Sequence, residues 1–385
     1  MAPAPRDWFS KQFTETFDEK AREIGRFNLA IFGKTGVGKS TLVNAIFGED
    51  VAETGIGQPV TQGSHLYLHA DGHFGVLDTR GLEIGTDDAT ILAELKEYVG
   101  HLRRLPQSEQ VHVAWYCVRS LDRRFEETEE SFVRELDRLG LPVMLVLTQV
   151  PLRDGRYHPD AEALRDDIAA RDLPLAGGQI FLTNAKADDF AGVEAHGLQS
   201  LLDATFLVAP AGVEEALVAA QKIDLKRKRT SAERAIRTAV GAAAAAGATP
   251  IPFSDAAVLV PIQLTMMASI AHIYGIGVDR ATAASLASTA AATAGGRSLV
   301  TGLIKSVPGA GSLIGGGIAA AVASSVTWAV GQAWTTVCAR LSQGKLNGVT
   351  GALDSDAIRE LFLDEFRGNM RRKLPGGGGV RSLGD

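Results

Sequence analysis

The sequence predicts an α/β domain with a mostly parallel sheet covered by helices, followed by an all-α apolar domain. Up to about residue 210, short apolar segments that resemble buried strands alternate with helix-length segments, which is typical of parallel sheets covered on both faces. A glycine-rich loop stands between the first predicted strand and a predicted helix. Beyond Pro210 the composition changes abruptly to alanine, glycine and few charges. This change indicates a second domain of different architecture.

Length and composition limit the number of domains and the class of partner. The 385 residues suggest about two or three domains. The net charge of −6 argues against a protein that binds nucleic acid by broad charge neutralisation. Cys117 and Cys338 form neither a metal-ligand spacing nor a disulfide framework, which fits a reducing cytosol. The N-terminal residues have no basic start followed by an apolar stretch, so no secretory signal is expected.

The N-terminal region, residues 1–26, is predicted to be an amphipathic helix. Phe9, Phe13 and Phe17 recur at helical spacing within the segment Asp7–Ile24, with charges on the other positions. The apolar face could pack on the rest of the protein or insert into a membrane. Packing is favoured because the polar face is not notably basic.

The loop Gly33–Thr41, with the sequence GKTGVGKST, fits the phosphate-binding pattern GxxxxGK[ST]. It lies between a predicted strand, Phe27–Phe32, and a predicted helix, Ser40–Phe47, which is the context that the motif requires. Lys39 is expected to reach the outer phosphates of a nucleotide and to act in catalysis, and Ser40 is expected to bind Mg²⁺. The predicted phosphate-binding residues of the loop are Gly33, Lys34, Thr35, Gly36, Val37, Gly38, Lys39, Ser40 and Thr41.

Two later loops are predicted to sense the γ-phosphate. A DxxG motif, from Asp78 to Gly81, stands at the end of a predicted strand, 38 residues after Ser40. Asp78 can hold Mg²⁺ through a water, and the Gly81 N–H can contact the γ-phosphate. In the loop QPVTQG, Thr61 is the expected second hydroxyl ligand of Mg²⁺ and a second catalytic residue. An ordinary loop threonine is the alternative.

The remaining strands complete the pattern of a P-loop domain. They are predicted at His65–His69, Val111–Val118, Val143–Thr148 and Gln179–Thr183. With GKTGVGKS, PVT, DTRG and TNAK in place, residues of about 27 to 209 resemble an Era-like member of the Ras-type GTPase superfamily. The resemblance implies that the domain binds GTP and GDP with Mg²⁺ and hydrolyses GTP.

The resemblance also implies which residues read the base. Such GTPases carry [NT]KxD, whose Asp accepts hydrogens from guanine N1–H and N2–H₂, but this chain has TQVP. Thr148 and Gln149 fit the motif, whereas Pro151 stands at the position of the carboxylate. Asp154 is the nearest substitute if the loop carries a short insertion. Otherwise Asp154 begins a turn with Gly155, and guanine selectivity should be weaker.

Three further parts of the family pattern concern the base and the reaction. By similarity, Asn184, Ala185 and Lys186 of TNAK form the loop that contacts guanine O6, chiefly through the Ala185 backbone. Leu82 follows DxxG where Ras-like enzymes place a water-orienting glutamine. A leucine cannot orient water, so slow intrinsic hydrolysis or help from a partner is expected. Gly36 replaces the Asn of potassium-using relatives, which disfavours a potassium-assisted route.

The apolar region explains why membrane association is predicted. Thr238–Ala339 contains five charged residues in 102 positions, and Ala256–Val278 and Ser306–Ala339 contain none. Each uncharged run exceeds the roughly 20 residues needed to span a bilayer. Basic residues flank the region, so an even number of crossings or a re-entrant hairpin would fit best. The alternative is a buried helical bundle, because alanine and glycine gain little from lipid.

A second resemblance concerns this region. IPFSDAAVLVPIQLTMMASIAHIYGIGV resembles the start of a hydrophobic C-terminal domain of unknown function that follows Era-like GTPase domains in bacteria. The resemblance covers residues of about 231 to 340 and supports membrane association more than any activity. The predicted domains are an N-terminal amphipathic helix at 1–26, the GTPase domain at 27–210, a basic helical linker at 211–237, the hydrophobic helical domain at 238–340, and an amphipathic helix with a disordered tail at 341–385.

The function predicted from these features is a slowly hydrolysing, Mg²⁺-dependent GTP switch that acts on the inner face of the cell membrane through its helical domain. A nucleotide-regulated scaffold with negligible hydrolysis is one alternative. A soluble ribosome- or RNA-associated Era-type GTPase is the other, but the acidic balance of charge disfavours a nucleic-acid partner. The protein could also self-associate or bind an activating partner.

Overall fold

The structure of the protein is a computed structural model that divides the chain into two compact units. The sheet unit is Ile24–Asp224, and the helical unit is Met1–Glu23 together with Leu225–Asp385. The described residues are 5–48, 58–59, 64–69, 71–79, 106–188, 192–248, 255–276, 316–346 and 355–373, with isolated positions between 93 and 104.

The sheet unit is built on a seven-stranded, mostly parallel sheet. Its strands are β1 (Phe27–Phe32), β2 (Gln58–Pro59), β3 (Ser64–Leu68), β4 (Phe74–Thr79), β5 (Val113–Arg119), β6 (Val143–Thr148) and β9 (Ile180–Leu182). The spatial order is β2-β3-β4-β1-β5-β6-β9, in which β2 and β3 run antiparallel to their neighbours and the other pairings are parallel. Two short strands, β7 (Leu152–Arg153) and β8 (Arg156–Tyr157), form a separate antiparallel hairpin.

Helices cover both faces of this sheet. In the sheet unit they are α2 (Lys39–Phe47), α3 (Glu127–Arg138), α4 (Pro159–Ala169), α5 (Leu198–Val208) and α6 (Glu214–Ala220). Strand β1 contributes Leu29 and Ile31 to the core on one face and Ala30 and Phe32 to the core on the other, as the two-residue period of a strand requires. The predicted α/β fold class is confirmed.

The helical unit contains the amphipathic N-terminal helix and the apolar half of the chain. Its described helices are α1 (Pro5–Ile24), α7 (Leu225–Ala248), α8 (Asp255–Ile273), α9 (Gly316–Leu341) and α10 (Ser355–Lys373). On α1, Phe13 is fully buried in the core of this unit, and the Phe17 ring stacks on His272 of α8 with centroids 3.8 Å apart. The packing alternative, rather than membrane insertion, therefore describes α1 in this structure.

The two uncharged runs lie partly in α8 and α9. Apolar side chains of both helices are buried in the core of the helical unit, and the Trp334 indole of α9 donates a hydrogen bond to the Met267 carbonyl of α8 at 2.9 Å. Pro261 lies inside α8, and this residue is exposed. Among the helices in the described part of the chain, none combines the length and apolarity of a membrane span. Residues 277–315, which include parts of both runs, lie outside that part.

Candidate functional site

The phosphate-binding loop follows β1 and leads into α2. Gly33 has φ 130°, and a Cβ built at this residue would lie 2.2 Å from the Cys117 carbonyl oxygen at the neighbouring strand β5. Gly36 and Gly38 also have positive φ, of 80° and 96°. The three glycines of the motif thus occupy backbone conformations that a residue with a side chain rarely adopts.

Lys39 and the N-terminus of α2 supply positive charge at this loop. The Lys39 ammonium donates to the carbonyl oxygens of Gly33 at 2.8 Å and Lys34 at 3.2 Å, so it lies close to the loop backbone. Ser40 and Thr41, in the first turn of α2, are exposed. Gly38 caps this helix without a side-chain hydrogen bond. A helix N-terminus of this kind favours an anionic ligand because its N–H groups and dipole attract negative charge.

The side chain of Lys34 points to another partner. Its ammonium lies 3.0 Å from Glu126 and 3.4 Å from Glu129, at the start of α3. Burial lowers the pKa of Lys34, but the hydrogen bond to Glu126 and the charges of both carboxylates outweigh burial, so the pKa is raised. Any contact of Lys34 with phosphate in this conformation would involve its backbone. Thr35 and Val37 are exposed and buried, respectively.

The predicted metal ligands are placed only in part. Asp78 stands near the end of β4, in register with Ile31 of β1, so its backbone lies next to the strand that enters the phosphate-binding loop. Ser40 begins the helix on the other side of the loop. Hydroxyl and carboxylate oxygens are suitable ligands for Mg²⁺. Thr61, Gly81 and Leu82 lie outside the described residues.

The end of β6 is tied to the phosphate-binding loop. The buried Thr148 hydroxyl donates to the Val37 carbonyl at 2.5 Å. Gln149 has φ 53°, and its side-chain amide donates to the Gly36 carbonyl at 3.2 Å. Thr148 and Gln149 therefore connect the predicted base-binding loop to the loop expected to hold the phosphates.

The loop after β9 is organised by Asn184. Its side chain is 8% exposed and donates from Nδ2 to the Lys186 carbonyl at 2.7 Å and to the Glu194 carbonyl at 2.8 Å. Backbone hydrogen bonds join Asn184 and His196 in both directions, at 3.1 and 2.9 Å. The Asn184 side-chain amide thus binds two backbone carbonyls of its own loop, on either side of the cavity residues that follow Lys186.

These elements enclose a cavity of about 770 Å³, which falls within the usual range of ligand sites. The cavity is lined by the start of α2, the end of β6 and the loop after β9. The lining residues are Gly38, Thr41, Leu42, Thr148, Gln149, Pro151, Thr183, Asn184, Ala185, Lys186, Ala187, Asp188 and Val193. The structure thus brings together the predicted base-binding residues Thr148, Gln149, Asn184, Ala185 and Lys186.

Asp154, the sixth predicted base-binding residue, is a correction. It is exposed and forms the two-residue turn between β7 and β8 with Gly155, at φ 51° and 74°. Asp-Gly with two positive φ values is typical of a tight hairpin turn, and Asp154 is not among the residues that line the cavity. The Asp-Gly pair indicates this turn from the sequence, and the structure shows the turn alternative for Asp154.

Asp188 and Val193 also line the cavity, although no sequence motif predicts them there. Backbone hydrogen bonds pair them in both directions, from the Asp188 N–H at 2.8 Å and from the Val193 N–H at 3.0 Å. No motif at these positions indicates such a pairing, because it depends on how the loop closes on itself.

Comparison with known proteins agrees with this geometry. Residues 28–149 match the family model described as 50S ribosome-binding GTPase, and residues 213–359 match DUF697, a domain of unknown function. The chain carries an Era-like GTPase domain followed by a DUF697 domain. The family of the Era-like domain implies guanine nucleotide binding.

The relatives of this Era-like protein cover parts of the chain. Magnetosome membrane protein 22 of Magnetospirillum gryphiswaldense is 29% identical over 139 residues, which are 35% of this chain and 68% of that protein. GTPase Der of Cereibacter sphaeroides is 33% identical over 135 residues, which are 34% of this chain and 26% of Der, so the chain spans about a quarter of the Der length. An Aquifex aeolicus Era structure bound to GDP and AlF₄⁻ has 20% identity and a TM-score of 0.32, and the match covers 48% of this chain and 57% of that one.

Proposed function

We propose that the protein is a Mg²⁺-dependent GTP-binding switch that hydrolyses GTP slowly and acts at a membrane through its helical unit. The observation that carries this proposal is the continuous arrangement of a glycine-dependent phosphate loop, the Lys39 ammonium and a cavity that reaches the loop after β9. A nucleotide with its phosphates at α2 and its base in the cavity fits this arrangement.

The chemistry of the site supports phosphoryl transfer. The N-terminus of α2 and Lys39 would stabilise negative charge on the outer phosphates. Ser40, Thr61 and Asp78 are the residues that would hold Mg²⁺, directly or through water. Bound Mg²⁺ neutralises charge on the phosphate oxygens.

Slow hydrolysis is inferred from Leu82. This residue follows DxxG and offers no hydrogen bond that could orient the attacking water. Intrinsic turnover should therefore resemble that of GTPases that need an activator, on the order of 10⁻³ s⁻¹ or slower. An activating partner or self-association would supply the missing group.

The switch and the membrane role rest on the chain outside the cavity. The loops that carry Thr61 and Gly81 would be held by the γ-phosphate and released after hydrolysis. The helical unit has a nearly uncharged segment, Thr238–Ala339, and one relative of the chain is named as a magnetosome membrane protein. These observations favour a GTPase domain on the cytoplasmic side of a membrane.

A turnover assay on the purified protein tests this function. With GTP and Mg²⁺ the protein should release phosphate slowly. It should sediment with liposomes that contain anionic lipid, and these liposomes should accelerate turnover. Lys39→Ala should remove the turnover. Absence of turnover with and without liposomes would instead support a nucleotide-regulated scaffold. Sedimentation with ribosomes but not with liposomes would support the RNA-associated alternative.

A further inference from the structure

We infer that Asp188 supplies the carboxylate that reads guanine in this protein, from the loop after β9 rather than from the loop after β6. The inference rests on the proposed function, because it assumes that the cavity takes the base of a guanine nucleotide. The TQVP sequence has no carboxylate at the position that reads the base in relatives, and the inference assigns that role to Asp188.

The cavity lining identifies Asp188. The guanine edge presents the two donors N1–H and N2–H₂, and a carboxylate is the group that accepts both with its two oxygens. Among the described residues that line the cavity, Asp188 carries the only carboxylate, and the residue is exposed. Pro151, at the position where relatives carry the aspartate, lines the cavity without any side-chain acceptor.

Four neutral polar side chains of the lining form hydrogen bonds within the protein. Thr148 donates to Val37 and Thr183 donates to the Leu147 carbonyl at 3.0 Å, and both are buried. The Asn184 amide holds two loop carbonyls, and the Gln149 amide lies against the Gly36 carbonyl. None of these neutral groups replaces a charged acceptor for two hydrogens.

Two backbone hydrogen bonds hold Asp188 itself. Its N–H and carbonyl pair with Val193, which also lines the cavity. Further along the loop, His196 pairs with Asn184, and its Nε2 lies 2.8 Å from the Val150 carbonyl in the loop after β6. Hydrogen bonds thus join the two loops that flank the cavity, which reduces the cost of ordering Asp188 when a nucleotide binds.

Xanthine distinguishes a base-reading carboxylate from a merely structural one. Xanthine differs from guanine at C2, where a carbonyl acceptor replaces the amino donor. An asparagine offers one acceptor and one donor, so it matches N1–H and the C2 carbonyl of xanthine. Asp188→Asn should therefore exchange preference for guanosine triphosphate for preference for xanthosine triphosphate, whereas loss of a loop contact would weaken both.

The experiment measures dissociation constants of GTP, inosine, xanthosine and adenosine triphosphates for the full chain, for Asp188→Asn and for the control Asp154→Asn. The wild type should prefer GTP over ITP and ATP. Asp188→Asn should bind GTP roughly ten- to a hundredfold more weakly and XTP more tightly than the wild type does. Asp154→Asn should equal the wild type.

Several results would overturn the inference while leaving nucleotide binding intact. They are unchanged base preference in Asp188→Asn, weaker GTP binding without a gain for XTP, equal affinity of the wild type for GTP and ATP, or a switch of preference in Asp154→Asn instead. If the wild type binds none of the four nucleotides, the proposed function itself fails.

Discussion

At Gly33 the phosphate-binding loop passes very close to strand β5. At Gly33 the backbone passes so near the Cys117 carbonyl that no side chain fits. At Gly36, in the same loop, a Cβ would meet nothing within 4 Å, although φ is positive at both residues. A substitution at Gly33 therefore causes both a steric clash and backbone strain, whereas one at Gly36 causes backbone strain alone.

Gly33→Ala should destabilise the sheet unit by about 3 kcal/mol or more, from the strained φ and the clash together. It should also abolish nucleotide binding, because the loop must move to relieve the clash. Gly36→Ala should cost roughly 1–2 kcal/mol and leave a folded protein. Chemical denaturation of both variants measures the difference, and equal destabilisation would contradict the steric explanation.

The Cys117 thiol is expected to be inert in the native protein. Burial raises its pKa to about 12, compared with roughly 8.5 for an exposed thiol. Because the native state holds the proton more tightly, the associated stability is fully present below the unfolded pKa and is lost as the pH rises from about 9 to about 12.

In a Cys338→Ala background, a thiol reagent at pH 8 should react with Cys117 only as fast as the sheet unit opens. Urea unfolding should give a lower free energy at pH 10 than at pH 8, and Cys117→Ala should reduce this difference. Rapid stoichiometric labelling of the folded protein at pH 8 would show that the thiol is not buried.

Single residues also show how far the sequence predicts the site. The phosphate loop and Asn184–Lys186 could be placed because each motif follows a recognisable strand. Asp154 could not, because its position depends on whether the chain after Pro151 inserts into the site or forms a hairpin. Asp188 depends on a pairing with Val193 across the loop, and no local pattern encodes it.

At the level of elements, three helices of the helical unit meet at Gly331. A Cβ on this residue of α9 would lie 2.6 Å from Ile236 Cγ1 of α7 and 2.9 Å from Met266 Sδ of α8. The close approach explains part of the small-residue composition of the apolar segment. Such composition suits both a soluble bundle and a membrane hairpin, so the sequence alone left both open.

Gly331→Val should destabilise the helical unit by roughly 2–3 kcal/mol, because the added methyl groups overpack this contact. Gly241→Ala on α7 is the control, since nothing lies within 4 Å of its Cβ position and alanine favours a helix by up to about 1 kcal/mol. Helical circular dichroism during denaturation checks both. A Gly331→Val variant as stable as the wild type would contradict the packing.

Strands β1, β3, β5, β6 and β9 were predicted to within about two residues, most of them because buried strands are continuously apolar. Strand β2 (Gln58–Pro59) was missed, because it lies in the predicted loop QPVTQG. The β7–β8 hairpin, with two residues in each strand, is too short to produce a periodic signal. The weakly basic polar face of α1 favoured packing on the protein over membrane insertion. The contact of Phe17 with His272 could not be predicted, because the two residues are far apart in the sequence.

At the scale of the whole molecule, each unit has cores of its own. The sheet unit is organised by two apolar clusters on the faces of its sheet, and the helical unit by one cluster among its helices. The nucleotide site lies within the sheet unit. A ligand should therefore stabilise the two units unequally.

Calorimetry of the full chain should show two unfolding transitions. At a hundred times its Kd, GTP with Mg²⁺ should stabilise the sheet unit by about 2.7 kcal/mol, which raises one transition by roughly 5–10 °C. The other transition should stay at the same temperature. In Lys39→Ala, GTP should shift neither transition. A single transition, or equal shifts of two transitions, would contradict independent unfolding of the units.

The central claim is that the cavity and the phosphate loop form a guanine nucleotide site. Binding of labelled GTP to the full chain, in competition with excess ATP and with Lys39→Ala as control, tests it most directly. We predict saturable binding that ATP does not displace and that Lys39→Ala loses while its circular dichroism stays native. Unchanged GTP affinity in Lys39→Ala, or displacement of GTP by ATP as effectively as by unlabelled GTP, would contradict the account.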